Sequence, residues 1–229
     1  MTQITDHIAE TAERVRKARS GAPQSTEDLT ILAVSKRQPV AAIQSAYASG
    51  LRDFGENLVQ EALPKIKALE SLDIRWHFIG RIQSNKTRDI AEHFDWVHTV
   101  DRLKIAQRLN DQRPHYAPPL NVCIQVNQGG ESQKGGIEEA ELGTLAAAVS
   151  ELPALRLRGL MTLPPATADP AESATHFARL RELKEQLEAK RIPLDALSMG
   201  MSSDLEVAIR EGSTIVRVGT AIFGPRPDP

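Results

Sequence analysis

The chain has 229 residues, 41% hydrophobic and 25% charged, with a formal net charge of −2. That is enough for one soluble domain with a real core, and too evenly charged for the basic stripe of a nucleic-acid binder. One cysteine, Cys123, excludes an intrachain disulfide framework and a cysteine-rich zinc site.

The first twenty-one residues hold no apolar signal region, and Asp6, Glu10 and Glu13 are out of place in a mitochondrial leader. With no apolar run of the roughly 18 residues a spanning helix needs, the expected address is the cytoplasm and no membrane partner is expected. Ile4, Ile8, Ala12 and Val15 recur at three- and four-residue steps, which predicts an amphipathic N-terminal helix. Strand candidates then follow at 29–36, 53–57, 75–80, 96–101, 120–127, 155–163, 196–201 and 214–219. Several are dense in Ile, Leu and Val, as parallel strands covered by helices should be. Helical patterns lie between them at 40–50, 57–70, 101–110, 138–150, 171–190 and 203–212.

Punctuation supports this order. Ser203 and Glu206 have capping-box spacing, and Gly50 and Gly212 follow helical runs where a left-handed residue commonly stops a helix. The Pro-rich segments 114–119 and 163–170 read as loops, because the alternation resumes after each. One domain over residues 1–229 is therefore expected. Eight strands with intervening helices predict an α/β fold, a (β/α)8 TIM barrel with an extra N-terminal helix; an open doubly wound sheet is the alternative.

In a parallel barrel the C-terminal strand ends converge on one face, where such folds place their sites. Lys36 ends the most apolar strand and shares a face with Leu32 and Val34. Partial burial there would favour the free amine, the form that attacks an aldehyde; a lysine snorkelling from a strand end is the plainer alternative. In GSTIVRVGTAIFG, Gly219 and Gly224 bracket a turn whose amides can face a phosphate, and Thr220 opens it. Arg217 projects toward the same mouth, or forms a structural salt bridge. In LSMGMSSD, Ser202 or Ser203 can hydrogen-bond a phosphate, although Ser203 can equally serve only as a helix cap. An amine opposite a phosphate cradle points to a phosphorylated aldehyde.

Seven ordered segments, AVSKRQP, DFGENLVQE, WHFIGRIQSNK, VHTVDR, GLMTLP, LSMGMSSDLEVAI and STIVRVGTAIFG, run from residue 33 to 224. Together they resemble the pyridoxal phosphate homeostasis proteins of the YggS/PROSC family. The resemblance implies a barrel like that of bacterial alanine racemase, with pyridoxal 5′-phosphate (PLP) joined to Lys36 as a Schiff base. It implies a phosphate held by Ser202, Gly219 and Thr220, Arg217 facing the pyridine nitrogen, and Asn57 near the ring. An arginine stays protonated and cannot readily give the ring nitrogen a proton, so the cofactor is a weaker electron sink than one paired with a carboxylate.

The sequence departs from the family in two places. Lys134, in GGESQKGGI, stands where relatives often read Ser-Lys-x-Gly, and is either a second cofactor lysine or a solvated loop residue. Arg81 stands where many relatives carry proline, adding a charge near the mouth.

The remaining polar residues suggest little further chemistry. His93 and His98 fall on different elements and predict no metal site; His77 reads as a packed, hydrogen-bonded strand residue and Cys123 as a small buried hydrophobe. The charges of LRELKEQLEAK read as a solvated face. Amino-acid racemization is the competing function. It needs acid–base groups on both faces of the substrate carbon, and in alanine racemase the second is a tyrosine from another domain of a partner subunit. Tyr47 and Tyr116 fall in a helix and a Pro-rich loop, and the chain ends at PRPDP soon after the eighth strand. A Schiff-base aldolase would keep Lys36 but leave the family pattern unexplained. The expectation is a monomeric PLP carrier that buffers the cofactor or delivers it to PLP-requiring apoenzymes, with little or no turnover and no catalytic residues.

Overall fold

The computed structural model describes residues 2–20, 29–129, 135–165, 167 and 169–225. The strands are β1 (Thr30–Val34), β2 (Asp53–Glu56), β3 (Arg75–Phe78), β4 (Trp96–Val100), β5 (Leu120–Val126), β6 (Leu155–Thr162), β7 (Ala196–Met201) and β8 (Ile215–Val218). They form a closed barrel in sequence order, with every pair parallel. Closure between β1 and β8, with Thr30 opposite Ile215 and Ala33 opposite Val218, rules out the open sheet.

Helices α1 (Thr2–Ser20), α2 (Val40–Ala48), α3 (Val59–Ala68), α4 (Thr87–His93), α5 (Leu103–Gln112), α6 (Glu139–Ser150), α7 (Pro170–Ala189), α8 (Leu205–Arg210) and α9 (Thr220–Phe223), with a 3-10 turn at Ser84–Lys86, complete the described elements. The two-residue period of the strands divides the apolar side chains into two sets. Ala33, Phe54, Phe78 and Val97 face the helices and join Ile43, Phe177 and Leu180 in the larger core. Leu32, Cys123, Met161, Ala196 and Ile215 form a smaller set inside the barrel.

The local stop signals hold, but the capping signal does not. Gly50 and Gly212 follow α2 and α8 with φ of +101° and +92°, the left-handed stop expected of each. The capping box does not form. Asp204 is the residue before α8, its carboxylate accepts from the Met201 amide, and Glu206 pairs instead with Arg14. On α1 the buried stripe is Ile8, Thr11, Val15 and Ala18, with Ile4 half-buried; Ala12 is exposed, one position off the face. Helix α4 was not anticipated, because TRDIAEH buries only Thr87, Ile90 and Ala91 and shows too few apolar repeats to register.

Helix α1 is tied to the strand-end face as well as to the core. Arg14 donates to both Glu206 carboxylate oxygens at 2.7 and 3.0 Å, and its Nη2 donates to the Ser202 carbonyl at 2.9 Å. His7 Nδ1 lies 3.1 Å from the Ile222 carbonyl. The first helix therefore braces the two segments, after β7 and after β8, that form one wall of the mouth. No helix among the described residues is long and apolar enough to cross a membrane.

Candidate functional site

A cavity of about 600 Å³ opens at the C-terminal ends of the strands. All six residues singled out for cofactor contact, Lys36, Asn57, Ser202, Arg217, Gly219 and Thr220, line it. Ile79, Met161, Leu163 and Met201 supply apolar wall between them. The volume lies within the range of roughly 300–1,000 Å³ usual for cofactor pockets.

Lys36 stands two residues beyond β1, half-buried, in a turn held from both sides. Before it, Ser35 is fully buried; its hydroxyl donates to Glu56 Oε1 at 2.6 Å, and its carbonyl accepts from Lys65 Nζ at 2.9 Å. After it, Arg37 takes a left-handed φ of +61°, and its amide donates to Glu61 Oε1. Lys65 Nζ completes the clamp by donating to Glu56 Oε1 at 2.9 Å and Glu61 Oε1 at 2.6 Å, which uses all three ammonium protons. Burial pushes the Glu56 carboxyl above its ordinary range, against the lowering effect of the Ser35 and Lys65 hydrogen bonds. Its second oxygen has no hydrogen-bond partner among the described residues.

Asn57 follows β2 and is held by close backbone approach. A Cβ on Gly80 would lie 2.0 Å from the Asn57 carbonyl oxygen, so no larger residue fits between these strand ends. Gly200 plays the same part on β7. Its φ is +91°, and a Cβ there would lie 2.4 Å from that of Ala208 in α8, so the strand can turn into Ser202 only with glycine at this place. Ser202 Oγ then accepts, at 3.5 Å, from the Ala221 amide in the first turn of α9. Gly219 precedes that helix and Thr220 is its exposed first residue, as the sequence implied.

Arg217, on β8, is 4% exposed. Its Nη1 donates to the Ser198 carbonyl at 2.6 Å and the Ser198 hydroxyl at 2.8 Å, and its Nη2 donates to the Thr162 carbonyl at 2.8 Å. Three of five N–H donors are thus spent on the barrel wall, leaving Nε–H and one Nη2–H for the cavity. Among the described residues no carboxylate forms an ion pair with it, and its bonds to Ser198 and Thr162 stand where the salt-bridge alternative was expected. Burial brings the guanidinium down to about 10, which still leaves it protonated at neutral pH.

The structure also places most of the other residues singled out in the sequence. Arg81 is exposed and does not line the cavity. Lys134 lies outside the described residues. His93 ends α4 while His98 is buried in β4, and no metal-binding cluster occurs among the described residues. Cys123 is buried inside the barrel, and desolvation pushes its thiol up to about 12. Tyr47 sits in α2, and Tyr116 is 82% exposed in its loop; neither lines the cavity. Sequence reasoning missed Lys65, Glu56 and Arg14 as supports of the site. The Glu61–Lys65 spacing of four was a visible helix pair, but nothing marked the lysine as buried.

The chain matches the alanine racemase N-terminal domain model over residues 7–227. It is 58% identical over 226 residues to the pyridoxal phosphate homeostasis protein of Pseudomonas aeruginosa, spanning 99% of this chain and 97% of that protein. The protein of the same name in Escherichia coli K12 is 50% identical over 232 residues, spanning 99% and 98%. The chain belongs to the pyridoxal phosphate homeostasis protein family. The structure of PipY of Synechococcus elongatus PCC7942, solved with PLP bound, matches with a TM-score of 0.82 and 42% identity, covering 93% of this chain and 99% of that one. Alanine racemase of Clostridium difficile shares the fold alone, at 13% identity and a TM-score of 0.77; this chain covers 58% of it. The homeostasis proteins are thus covered nearly end to end, whereas a little over half of the racemase chain is.

Proposed function

We propose that the chain holds PLP in this cavity as a Schiff base on Lys36, and serves cytoplasmic PLP homeostasis as a monomeric carrier that buffers the cofactor or passes it to apoenzymes. The observation that carries this reading is the donor set of one cavity. Lys36 supplies an amine; Ser202, Gly219 and Thr220 supply hydroxyl and amide donors for a phosphate dianion; Arg217 supplies N–H donors and no acceptor. When bound, the cofactor supplies a reactive aldehyde and an electron-withdrawing ring. Lys36 would hold the cofactor through its amine with water as the co-product, and returning water would free it, as release of a carried cofactor requires. Asn57 and the apolar wall of Ile79 and Met161 orient the ring, and the brace from Arg14 keeps the Ser202 segment against α9.

The composition of the wall supports the reading of little or no turnover. Among the described residues, no carboxylate, imidazole or phenol lines the cavity to exchange a proton with a substrate carbon opposite Lys36. Arg217 stays protonated and holds the ring nitrogen without giving it a proton, which limits the electron sink. The near end-to-end match to proteins named for PLP homeostasis supports the same reading.

Mixing the protein with PLP should produce a near-visible absorption band at one equivalent, and Lys36→Ala should abolish it. An unchanged band and stoichiometry in that variant would sink the assignment. Robust Lys36-dependent amino-acid racemization would favour the enzyme instead.

A further inference from the structure

The barrel interior holds a chain of polar side chains beneath the cavity. His77 Nε2 lies 3.0 Å from Asp53 Oδ1, His77 Nδ1 lies 2.9 Å from His98 Nε2, and His98 Nδ1 lies 2.7 Å from Ser198 Oγ. Ser198 Oγ in turn accepts from Arg217 Nη1 at 2.8 Å. The chain crosses β2, β3, β4, β7 and β8, and every member is buried. Arg75 secures the far end with two bonds to Asp53, at 2.7 and 2.6 Å.

The chemistry of the two ends fixes the direction of every proton between them. At one end a carboxylate only accepts, so neutral His77 carries its proton on Nε2 and accepts at Nδ1 from His98 Nε2–H, and neutral His98 then accepts at Nδ1 from the Ser198 hydroxyl. At the other end a guanidinium only donates, so Arg217 fills one of the two lone pairs of that hydroxyl oxygen. The Asp53 carboxylate only accepts: burial raises its pKa, but the Arg75 and His77 hydrogen bonds outweigh that and bring it down to about 2. One proton order satisfies all the atoms. A second proton on His77 would force the other tautomer on His98, whose Nδ1–H would turn the Ser198 hydroxyl from donor to acceptor and strip its hydrogen of that partner.

We propose that Asp53, His77, His98 and Ser198 are positioning residues for Arg217, a polarised relay that locks the guanidinium with its two remaining donors toward the cofactor ring. This deepens, and rests on, the reading of the cavity as a PLP site. The relay is one-directional and anchored at an ion pair outside the cavity, so it holds Arg217 in place without offering it a carboxylate. The charged and titratable groups around it are few. His77 meets Asp53 and His98, stacks on Trp96 at 5.5 Å, and feels Arg75 and Asp95; His98 meets His77 and Ser198 and feels Arg217.

Two measurements test it, and the first needs no cofactor. Long-range proton–nitrogen NMR of the unloaded protein should show both His77 and His98 neutral and protonated on Nε2 at pH 7, with each ring assigned by its Gln variant. A proton on Nδ1 of either ring, or a charged ring, overturns the relay. The second is a pH titration of the near-visible band of the PLP-loaded protein. His98→Leu should shift its midpoint and weaken PLP binding by about tenfold or more, as expected for losing a hydrogen bond that steadies a charged group. His98→Gln, whose amide can accept from Ser198 and donate to His77, should restore most of both. A wild-type midpoint and affinity in His98→Leu, or a Gln variant no better than Leu, contradicts the proposal. If His98→Leu does not fold, Ser198→Ala carries the same measurement, against a wild-type midpoint as the contrary result. Wild-type protein that forms no band with PLP would overturn the cofactor reading, while the NMR result decides the proton order separately.

Discussion

Lys65 donates to the carbonyl of Ser35 at 2.9 Å, one residue before the lysine that lines the cavity. The ammonium also neutralises Glu56, whose residue is fully buried. A helix on the outside of the barrel thereby fixes the strand end inside its mouth. The conformation of Lys36 depends on this clamp as much as on the barrel itself.

Removing the clamp should therefore affect both stability and the site. Lys65→Met leaves Glu56 buried without a counter-charge, and losing one partner of a buried pair costs about 3–5 kcal/mol. Urea unfolding at pH 7.5 should show a loss of that order, together with weaker PLP binding. An unchanged midpoint would mean that the clamp contributes nothing. The double variant Lys65→Met/Glu56→Leu should recover part of the stability, because it removes the stranded charge as well.

Ser202 offers a test of which end of the cofactor the α9 side of the mouth holds. Ser202→Ala should weaken PLP roughly tenfold while leaving pyridoxal, which has no phosphate, bound as in the wild type. Equal weakening of both ligands would place the hydroxyl elsewhere in the complex. The measurement is the ratio of the two dissociation constants by absorbance or fluorescence titration.

The buried histidines give stability a pH dependence of definite sign. Burial lowers the pKa of His77, against the raising effect of Asp53, and takes that of His98 well below its ordinary value. Below about pH 6.5 the unfolded chain gains protons that the native state refuses, so stability is full above that pH and lost as pH falls. The slope approaches about 1.4 kcal/mol per pH unit for each histidine. Glu56 acts in the opposite sense just above its ordinary range, because its folded pKa is raised. The histidine contribution is isolated by comparing wild type with His77→Gln/His98→Gln in denaturant melts from pH 7.5 to 5.5. The variant should show the shallower fall; equal slopes would contradict neutral burial of the two rings.

Much of this was legible before the fold was seen. The eight apolar runs gave the strands because parallel strands covered by helices are apolar on both faces, a pattern that survives without tertiary information. The cavity residues were legible for a related reason: in a parallel barrel, the end of each strand is an address, so Lys36, Arg217 and the Ser202–Ser203 pair could be brought together from sequence position, with the family resemblance choosing Ser202. What stayed hidden depends on contacts between distant segments. The Ser203–Glu206 spacing promised a cap, yet Arg14, 192 residues away, draws Glu206 aside. His77 read correctly as packed and hydrogen-bonded, but its partners His98 and Asp53 lie on neighbouring strands, and no local pattern names them. Lys65 looked like any surface lysine on an amphipathic helix, because its burial is decided by Ser35 and Glu56 across the β1–β2 edge.

The central claim is that one lysine, Lys36, carries the cofactor. Borohydride reduction of the PLP-loaded protein, followed by peptide mapping, tests it most directly. The account predicts one pyridoxyl group per chain, on the peptide containing Lys36, and none in Lys36→Ala. Label found chiefly on another lysine, Lys134 included, or undiminished in the variant, would contradict it.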